Sequence, residues 1–184
     1  MIGWRLRRRR EETEESPRPA YLEDARIYCV GDIHGRADLL MRLHEQIRED
    51  AQGYRGRRQV LYLGDYIDRG PQSRQVLDCL IEQPLEGFEA IHLKGNHEQA
   101  MLDFMEHPES TASWLGFGGR ETLASYGISV AFMPLMKDLQ QLAEELREVL
   151  PPAHKEFLES CLLSWRGGDY YFVHGGLRPG VDLE

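Results

Sequence analysis

The sequence predicts an α/β fold in which a parallel sheet carries polar loops along one edge. From residue 26 onward, short runs rich in β-branched and aromatic residues alternate with longer amphipathic stretches. Each of the first three short runs ends in a polar loop that contains glycine. His34 and Asp65 are 31 residues apart, as are Asp65 and Asn96, and this distance is typical of strand, helix, strand crossovers. With 184 residues, the chain is long enough for one such domain.

The predicted elements alternate in the first half of the chain and are mostly helical afterwards. Strands are predicted at 27–30, 59–63, 88–93 and 170–173. Two helices are predicted in the crossovers, at 38–50 and 71–82. Residues 99–166 are predicted to form a mostly helical insertion, with helices at 101–106, 121–126, 136–149 and 151–163. Asp38, Pro71 and Pro151 are each suited to the start of a helix.

The charge distribution separates a short tail from an acidic body. The formal net charge is −9, and the first ten residues hold five arginines and no acid, which leaves −14 on the rest. Glutamates follow the arginines directly, so residues 1–24 are predicted to be a disordered charged tail and residues 25–184 to be the domain. An acidic body is unsuited to nucleic acid, which we therefore do not expect as a partner.

Sequence features also bear on the cellular compartment. The basic run leads into glutamates and prolines instead of an apolar stretch, and no apolar run is long enough to cross a bilayer. Cys29, Cys79 and Cys161 are odd in number, far apart and set in apolar surroundings, so they are predicted to be buried free thiols. We therefore expect a cytoplasmic protein with no membrane partner. The sequence does not indicate an oligomeric state.

Two of the polar loops contain carboxylates at spacings that suit metal binding. Asp32 and His34 are two residues apart in extended backbone, so both side chains can emerge on one face and bind one cation. Asp65 follows the second strand, and its two oxygens can bridge two cations, while Asp68 can orient a neighbouring group. Turn and cap chemistry explains any one such motif equally well. Repetition in three loops at one sheet edge favours a ligand site.

The remaining candidate ligands are an amide and two histidines. Asn96 and His97 lie between a glycine and an acid in the third loop. His174 follows an apolar run and could be a core histidine, although the two glycines after it favour close approach of the backbone to a site. Oxygen and imidazole ligands without cysteine suit a pair of Mn²⁺, Fe or Zn²⁺ ions. The other histidines are assigned no role: His44, His92, His107 and His154.

These residue types together suit the hydrolysis of a phosphate ester. Two neighbouring cations lower the pKa of a bridging water and clamp the phosphoryl oxygens during in-line attack. Arg69 could hold the remaining phosphate oxygens bidentately. His97, oriented by Asp68, could give a proton to the leaving oxygen. No serine or cysteine nucleophile is needed.

The loop motifs resemble those of a known enzyme family. The runs at 31–35, 64–70 and 95–98 are similar to the signature of the phosphoprotein phosphatase branch of the calcineurin-like metallophosphoesterases, and the run at 173–177 looks like its fourth motif. The resemblance spans residues 27–180. It implies a four-layer fold in which two β-sheets are sandwiched between helices.

The resemblance also implies a role for each motif residue. One cation would be bound by Asp32, His34 and Asp65. The other would be bound by Asp65, Asn96 and His174, with Asp65 as the bridge. The other implied roles are His97 as the general acid, Asp68 as its partner, and Arg69 and Asn96 as phosphate-binding residues.

The second half of the chain makes the resemblance more specific and also limits it. The segment at 114–127 is similar to that of bacterial members described as serine/threonine phosphatases or diadenosine tetraphosphatases. Family members continue past the fourth motif to another arginine and a final histidine ligand, whereas no histidine follows His174 here. The second sheet is therefore expected to be incomplete and the chain to be truncated.

Three functions are compatible with the sequence. The first is metal-dependent hydrolysis of phosphate monoesters, in proteins at serine, threonine or tyrosine or in small metabolites, with two Mn²⁺ ions, or Fe or Zn²⁺, activating the water. The second is symmetrical cleavage of diadenosine tetraphosphate, in which Tyr66 or Trp114 would stack on a base. The third is a non-catalytic metal-binding module. Apart from that stacking role, Trp114 and Trp165 are expected in the core, with Met101 and Met105.

Overall fold

The computed structural model describes residues 25–129 and 138–183. The strands are β1 (Ala25–Val30), β2 (Arg57–Tyr62), β3 (Glu89–His92), β4 (Ser164–Gly167) and β5 (Tyr170–Val173). The helices are α1 (Ala37–Asp50), α2 (Ser73–Glu82), α3 (Asn96–Glu106), α4 (Pro108–Thr111), a 3₁₀ helix (Ala112–Phe117), α5 (Gly119–Ser125), α6 (Leu139–Val149) and α7 (Pro152–Ser160). The predicted tail at 1–24 and the predicted helix start at 136 lie outside the described residues.

A three-stranded parallel sheet in the order β1-β2-β3 forms the centre of the fold. Parallel neighbours need a crossover, which α1 and α2 provide as the sequence predicts. The register pairs Val30 with Tyr62 and Tyr62 with His92, so the three strands end at the same level. The loops that follow them therefore lie side by side at one edge of the sheet.

The two faces of this sheet pack against different elements. Val60 and Tyr62 lie in the main core with apolar residues of the helices. Because side chains alternate along a strand, Leu61 points to the other face, where it packs near Trp165 of β4 and Phe172 of β5. The antiparallel β4–β5 pair thus forms a small second sheet against the face opposite the helices. This confirms the predicted α/β architecture with two sheets, the second of which has two strands among the described residues.

Two sequence predictions about this region are wrong. The helix predicted at 151–163 is too long, since α7 ends at Ser160 and is followed by β4, whose Trp165 packs on Phe172 with a distance of 5.5 Å between the ring centroids. Cys29 was expected to be buried, but it is exposed. It lies beside the fully buried Leu61 in the register, yet on the edge strand, where its neighbours cover it less.

None of the helices in the described ranges has the length and apolar character needed to cross a membrane.

Candidate active site

Backbone hydrogen bonds join the loop after β1 to the loop after β2. The N–H groups of Ile33 and His34 both donate to the Asp65 carbonyl at 2.9 Å, and Gly35 donates to the Tyr66 carbonyl at 2.8 Å. At Gly95, in the loop after β3, a Cβ would lie 2.1 Å from Asp65 Oδ1. Only glycine therefore allows the third loop to approach the carboxylate so closely.

A buried glutamate connects the second and third loops. The Glu98 carboxylate is fully buried and accepts N–H bonds of 2.8 Å from each of Asp65, Tyr66 and Gly95. Burial raises the pKa of Glu98, while these three donors act in the opposite direction. Sequence reasoning assigned this residue no role, although its place beside His97 in the third motif was the available signal. Glu98 fixes the position of the Asp65 backbone.

The backbone is strained at four of the predicted site residues. Among the described residues, the non-glycine positions with positive φ are His34 at 44°, Asp65 at 55°, Asp68 at 72° and Arg69 at 66°. Such conformations cost about 1–3 kcal/mol each and concentrate at functional sites. The loops are thus held in shapes that serve the arrangement of these side chains.

His34 presents a nitrogen that has no protein partner. Its Nδ1–H donates to the Ile67 carbonyl at 2.9 Å, so the Nε2 of the neutral ring carries a lone pair. Nε2 is buried, makes no hydrogen bond, and lies 3.7 Å from Asp32 Oδ2 and 3.7 Å from Asp65 Oδ2. A ring nitrogen fixed in this way and surrounded by carboxylate oxygens is typical of a metal ligand.

His174 is arranged in the same way on the other side of Asp65. Its Nδ1–H donates to the Leu63 carbonyl at 2.8 Å, and its Nε2 lies 3.1 Å from Asn96 Oδ1 and 3.3 Å from Asp65 Oδ1. In the neutral ring, three electron-rich atoms therefore face one another. A cation bound between them would relieve their repulsion.

Two groups of potential ligands share Asp65. Asp32, Asp65 and His174 have ligand atoms within 4.8 Å of one another, and so do His34, Asp65 and His97. The sequence prediction paired Asp32 with His34 instead, and the distance of 3.7 Å between them is compatible with that pairing. All of the donor atoms are oxygen or imidazole nitrogen, so this part of the chain fits a pair of oxygen- and nitrogen-preferring divalent cations.

His97 and Asp68 form a buried pair beside these ligands. His97 Nδ1–H donates to Asp68 Oδ2 at 2.7 Å, and Arg69 Nη2 lies 3.2 Å from His97 Nε2. The two side chains are 4% and 0% exposed. The imidazole is thus oriented by the carboxylate, and its Nε2 faces the arginine.

Three further side chains hold Asp68. Trp114 Nε1–H donates to Asp68 Oδ2 at 2.8 Å, and the Thr122 hydroxyl donates to Asp68 Oδ1 at 2.6 Å. The Asp68 N–H in turn donates to the hydroxyls of Thr122 and Ser73. Burial raises the pKa of Asp68, and hydrogen bonds from Thr122, His97 and Trp114 oppose that change. Sequence reasoning did not predict this contact for Trp114, which packs in the core and also orients this carboxylate.

Two aromatic residues considered for base stacking cannot reach a ligand. Tyr66 and Trp114 are 0% and 1% exposed. The Tyr66 hydroxyl donates to the Leu93 carbonyl, and the Trp114 indole N–H is bonded to Asp68. The prediction that either ring stacks on a nucleotide base is therefore wrong.

The histidines without a predicted role that pair with other side chains lie away from the site. His44 bonds to the Tyr62 hydroxyl at 2.7 Å, and His154 lies between the Tyr126 hydroxyl and Asp78. These contacts join α1 to β2, and α7 to α2 and to the residue after α5.

The sequence is similar to known proteins. The family profile described as calcineurin-like phosphoesterase matches residues 25–184. A serine/threonine-protein phosphatase 1 from Salmonella typhimurium strain LT2 is 38% identical over 93 residues, which cover 50% of this chain and 38% of the relative. The chain therefore aligns with well under two thirds of that relative's length.

Two solved structures resemble the chain at low identity. A structure described as a "putative diadenosine tetraphosphatase" has 18% identity and a TM-score of 0.48, covering 89% of this chain and 59% of its own. A metallophosphoesterase from Sphaerobacter thermophilus has 17% identity and a TM-score of 0.41, covering 79% and 44%.

Proposed function

The chain belongs to the calcineurin-like phosphoesterase family, and from this premise we propose that it hydrolyses phosphate monoesters with two divalent cations. The proposed substrates are proteins phosphorylated on serine, threonine or tyrosine, or small phosphorylated metabolites. The similarity to a bacterial serine/threonine-protein phosphatase supports the protein substrates. The three free cysteines and the acidic body support a cytoplasmic protein that does not bind nucleic acid.

The position of Asp65 carries this proposal. Its Oδ2 lies 3.7 Å from His34 Nε2, and its Oδ1 lies 3.3 Å from His174 Nε2. Each histidine is oriented by an Nδ1–H bond to a backbone carbonyl, so both free nitrogens point toward the same carboxylate. One carboxylate between two oriented histidines is the arrangement expected for a bridging ligand.

The proposed cation ligands are those implied by the motifs. Asp32, His34 and Asp65 would bind one ion, and Asp65, Asn96 and His174 the other, with Mn²⁺ as the expected metal and Fe or Zn²⁺ as alternatives. When bound, such ions make water a better nucleophile and stabilise charge on the phosphoryl oxygens.

The remaining residues bind phosphate and move a proton. Arg69 would bind the phosphate oxygens through its guanidinium, and Asn96 would assist it. In the structure, that guanidinium lies 3.2 Å from His97 Nε2. Its movement to a phosphate would leave Nε2 free to hold a proton for the leaving oxygen. Asp68 keeps the ring in this orientation and stabilises its protonated form.

Two alternatives remain open to experiment. Cleavage of a dinucleoside polyphosphate requires contacts to a base, and both aromatic residues expected to supply them are buried. A non-catalytic metal-binding module would bind the same cations without turnover.

A metal-dependent assay tests the proposal. The chain should hydrolyse p-nitrophenyl phosphate with Mn²⁺, and Asp65→Asn, purified in parallel, should show no activity. Binding of Mn²⁺ without turnover would contradict the proposal in favour of the non-catalytic module. Competition at equal Mn²⁺ between a phosphopeptide and diadenosine tetraphosphate would then identify the substrate class, and preferential cleavage of the dinucleotide would overturn the monoester assignment.

A further inference from the structure

A groove of about 640 Å³ is lined in part by Arg69 and by none of the candidate cation ligands. Its other walls come from the 3₁₀ helix and the start of α5, as Leu115, Gly116, Phe117, Gly118, Arg120 and Glu121. None of these residues other than Arg69 has a role in the proposed chemistry. The groove is therefore a surface that the reaction itself does not explain.

The backbone of the segment that forms this groove contacts Arg69 and the Trp114 ring. Arg69 N–H donates to the Gly118 carbonyl at 3.2 Å, and a Cβ at Gly118 would lie 2.5 Å from Arg69 N. Gly118 also has a φ of +113°, which favours glycine. A Cβ at Gly119 would lie 2.5 Å from the Trp114 ring, which is itself bonded to Asp68. The backbone of this segment is consequently held against Arg69 and the Trp114 ring.

Two of these side chains suit a ligand that is both aromatic and negatively charged. Phe117 is 64% exposed, whereas Trp114 and Leu115, in the same 3₁₀ helix, are buried. Arg120 is exposed and makes no ion pair within residues 25–129 and 138–183. An exposed ring can stack on a second ring, and a free guanidinium can bind an anion. Glu121, in the same lining, would repel an anion on its own side.

We propose that this groove is the leaving-group subsite, and that Phe117 and Arg120 select aryl phosphate esters with a second negative charge nearby. A phosphotyrosine next to an acidic residue in a peptide has this chemistry. The leaving group is placed in this groove because Arg69, which lines the groove, also lies 3.2 Å from His97 Nε2, the atom that would protonate the departing oxygen. Water displaces the phenoxide at phosphorus, and the phenoxide takes its proton from His97. The inference rests on the proposed monoesterase function.

Matched peptides test this selection on the whole chain loaded with Mn²⁺. Four peptides would carry phosphotyrosine or phosphoserine, each followed by glutamate or alanine. Phe117→Ala should lower the kcat/KM ratio of phosphotyrosine to phosphoserine roughly 3- to 10-fold, the range of an aromatic pair. Arg120→Gln should lower the advantage of the glutamate peptide about 2- to 5-fold, and Glu121→Gln should raise it.

A matched variant outside the groove controls for loss of an exposed ring. Tyr170 is 42% exposed on β5, and Tyr170→Ala should keep the parent ratios. Equal losses for both phosphoamino acids in Phe117→Ala, or unchanged ratios, would overturn the subsite. Failure of the parent to hydrolyse any peptide would instead count against phosphoproteins as substrates in the proposed function. In that case, calorimetry would decide the subsite, since Phe117→Ala should weaken phosphotyrosine peptide binding by the same factor and an unchanged Kd would overturn it.

Discussion

The two sides of the candidate site differ in how completely the protein encloses them. On one side, His97 and Asp68 are 4% and 0% exposed, and both Asp68 carboxylate oxygens accept hydrogen bonds from side chains. On the other side, Asp32 is 55% exposed and His174 is 16% exposed. A groove of about 500 Å³ opens beside Asn96 and His174.

On the enclosed side the protein alone fixes the side chains, whereas on the open side a bound ligand would complete the arrangement. The enclosed side orients His97, the proposed proton donor, through bonds among protein atoms alone. The open side holds electron-rich atoms that face one another and therefore depend on cations for their stability. Asp65 belongs to both sides, because its Oδ2 lies 3.8 Å from His97 Nε2 and its Oδ1 lies 3.3 Å from His174 Nε2.

Asp65→Asn should have the largest effect, since it removes the residue common to both sides. A neutral amide cannot bridge two cations through two charged oxygens, and a cation contributes several kcal/mol of transition-state stabilisation, so kcat should fall at least about 10³-fold. Steady-state hydrolysis of p-nitrophenyl phosphate with Mn²⁺ measures this. Activity within tenfold of the parent would show that the two sides do not share this carboxylate.

His97→Asn should affect only the enclosed side. Loss of the proton donor should lower kcat about 10²-fold or more for alkyl phosphates. Mn²⁺ affinity should stay near that of the parent, as measured by calorimetry. The kcat for aryl phosphates with good leaving groups should fall less, because the departing phenoxide is stable enough to leave without a proton. An equal fall in kcat for alkyl and aryl phosphates would show that His97 is not the general acid.

Trp114→Phe should give a smaller loss on the same side. The ring remains, but Asp68 Oδ2 loses the indole N–H at 2.8 Å. By analogy with outer partners of catalytic groups, kcat should fall roughly 10-fold. Trp165→Phe, the same change in β4, is the control and should leave kcat unchanged. Equal behaviour of the two variants would mean that the indole bond does not orient Asp68.

The smallest expected effect is on stability and comes from the titration of His92. This residue packs against Tyr62 outside the candidate site. Burial lowers the pKa of His92 from 6.5 to about 4, and its buried Nε2 has no hydrogen-bond partner. The unfolded chain therefore binds the proton first as pH falls, so this residue's contribution to stability is present above pH 6.5 and is lost toward pH 4. The free energy of unfolding should drop by about 1 kcal/mol between pH 7 and 5.5 through this group.

His92→Phe isolates this contribution. Phenylalanine can keep the stacking on Tyr62, whose ring centroid is 5.0 Å away, but it does not titrate. Urea unfolding of parent and variant at several pH values should give curves that diverge below pH 6.5, with the parent losing more stability. Parallel curves would show that His92 titrates alike in the folded and unfolded chain.

Much of the fold could be predicted because it rests on local patterns. The three parallel strands and their crossover helices follow from hydrophobic periodicity, and the observed strand limits differ from the predicted ones by at most two residues. The candidate ligands follow because Asp32, Asp65 and Asn96 come after adjacent parallel strands, whose ends must lie together. The structure brings these side chains together as that topology requires.

The rest depends on contacts between distant parts of the chain. Trp114 and Thr122 are 46 and 54 residues from Asp68, and no local pattern indicates that they bond to it. Aspartate and histidine adopt the left-handed conformation more often than most residues, but the residue type alone does not identify His34 and Asp65 among the others. The four residues of β4 are too few for their periodicity to distinguish a strand from the end of the preceding helix.

Electron paramagnetic resonance of the whole chain titrated with Mn²⁺ tests most directly whether Asp65 joins two cation sites. At two equivalents the spectrum should show a spin-coupled Mn²⁺ pair, and Asp65→Asn should abolish the coupling while His97→Asn keeps it. A spectrum of isolated Mn²⁺ at every ratio, unchanged by Asp65→Asn, would contradict a bridged two-metal centre.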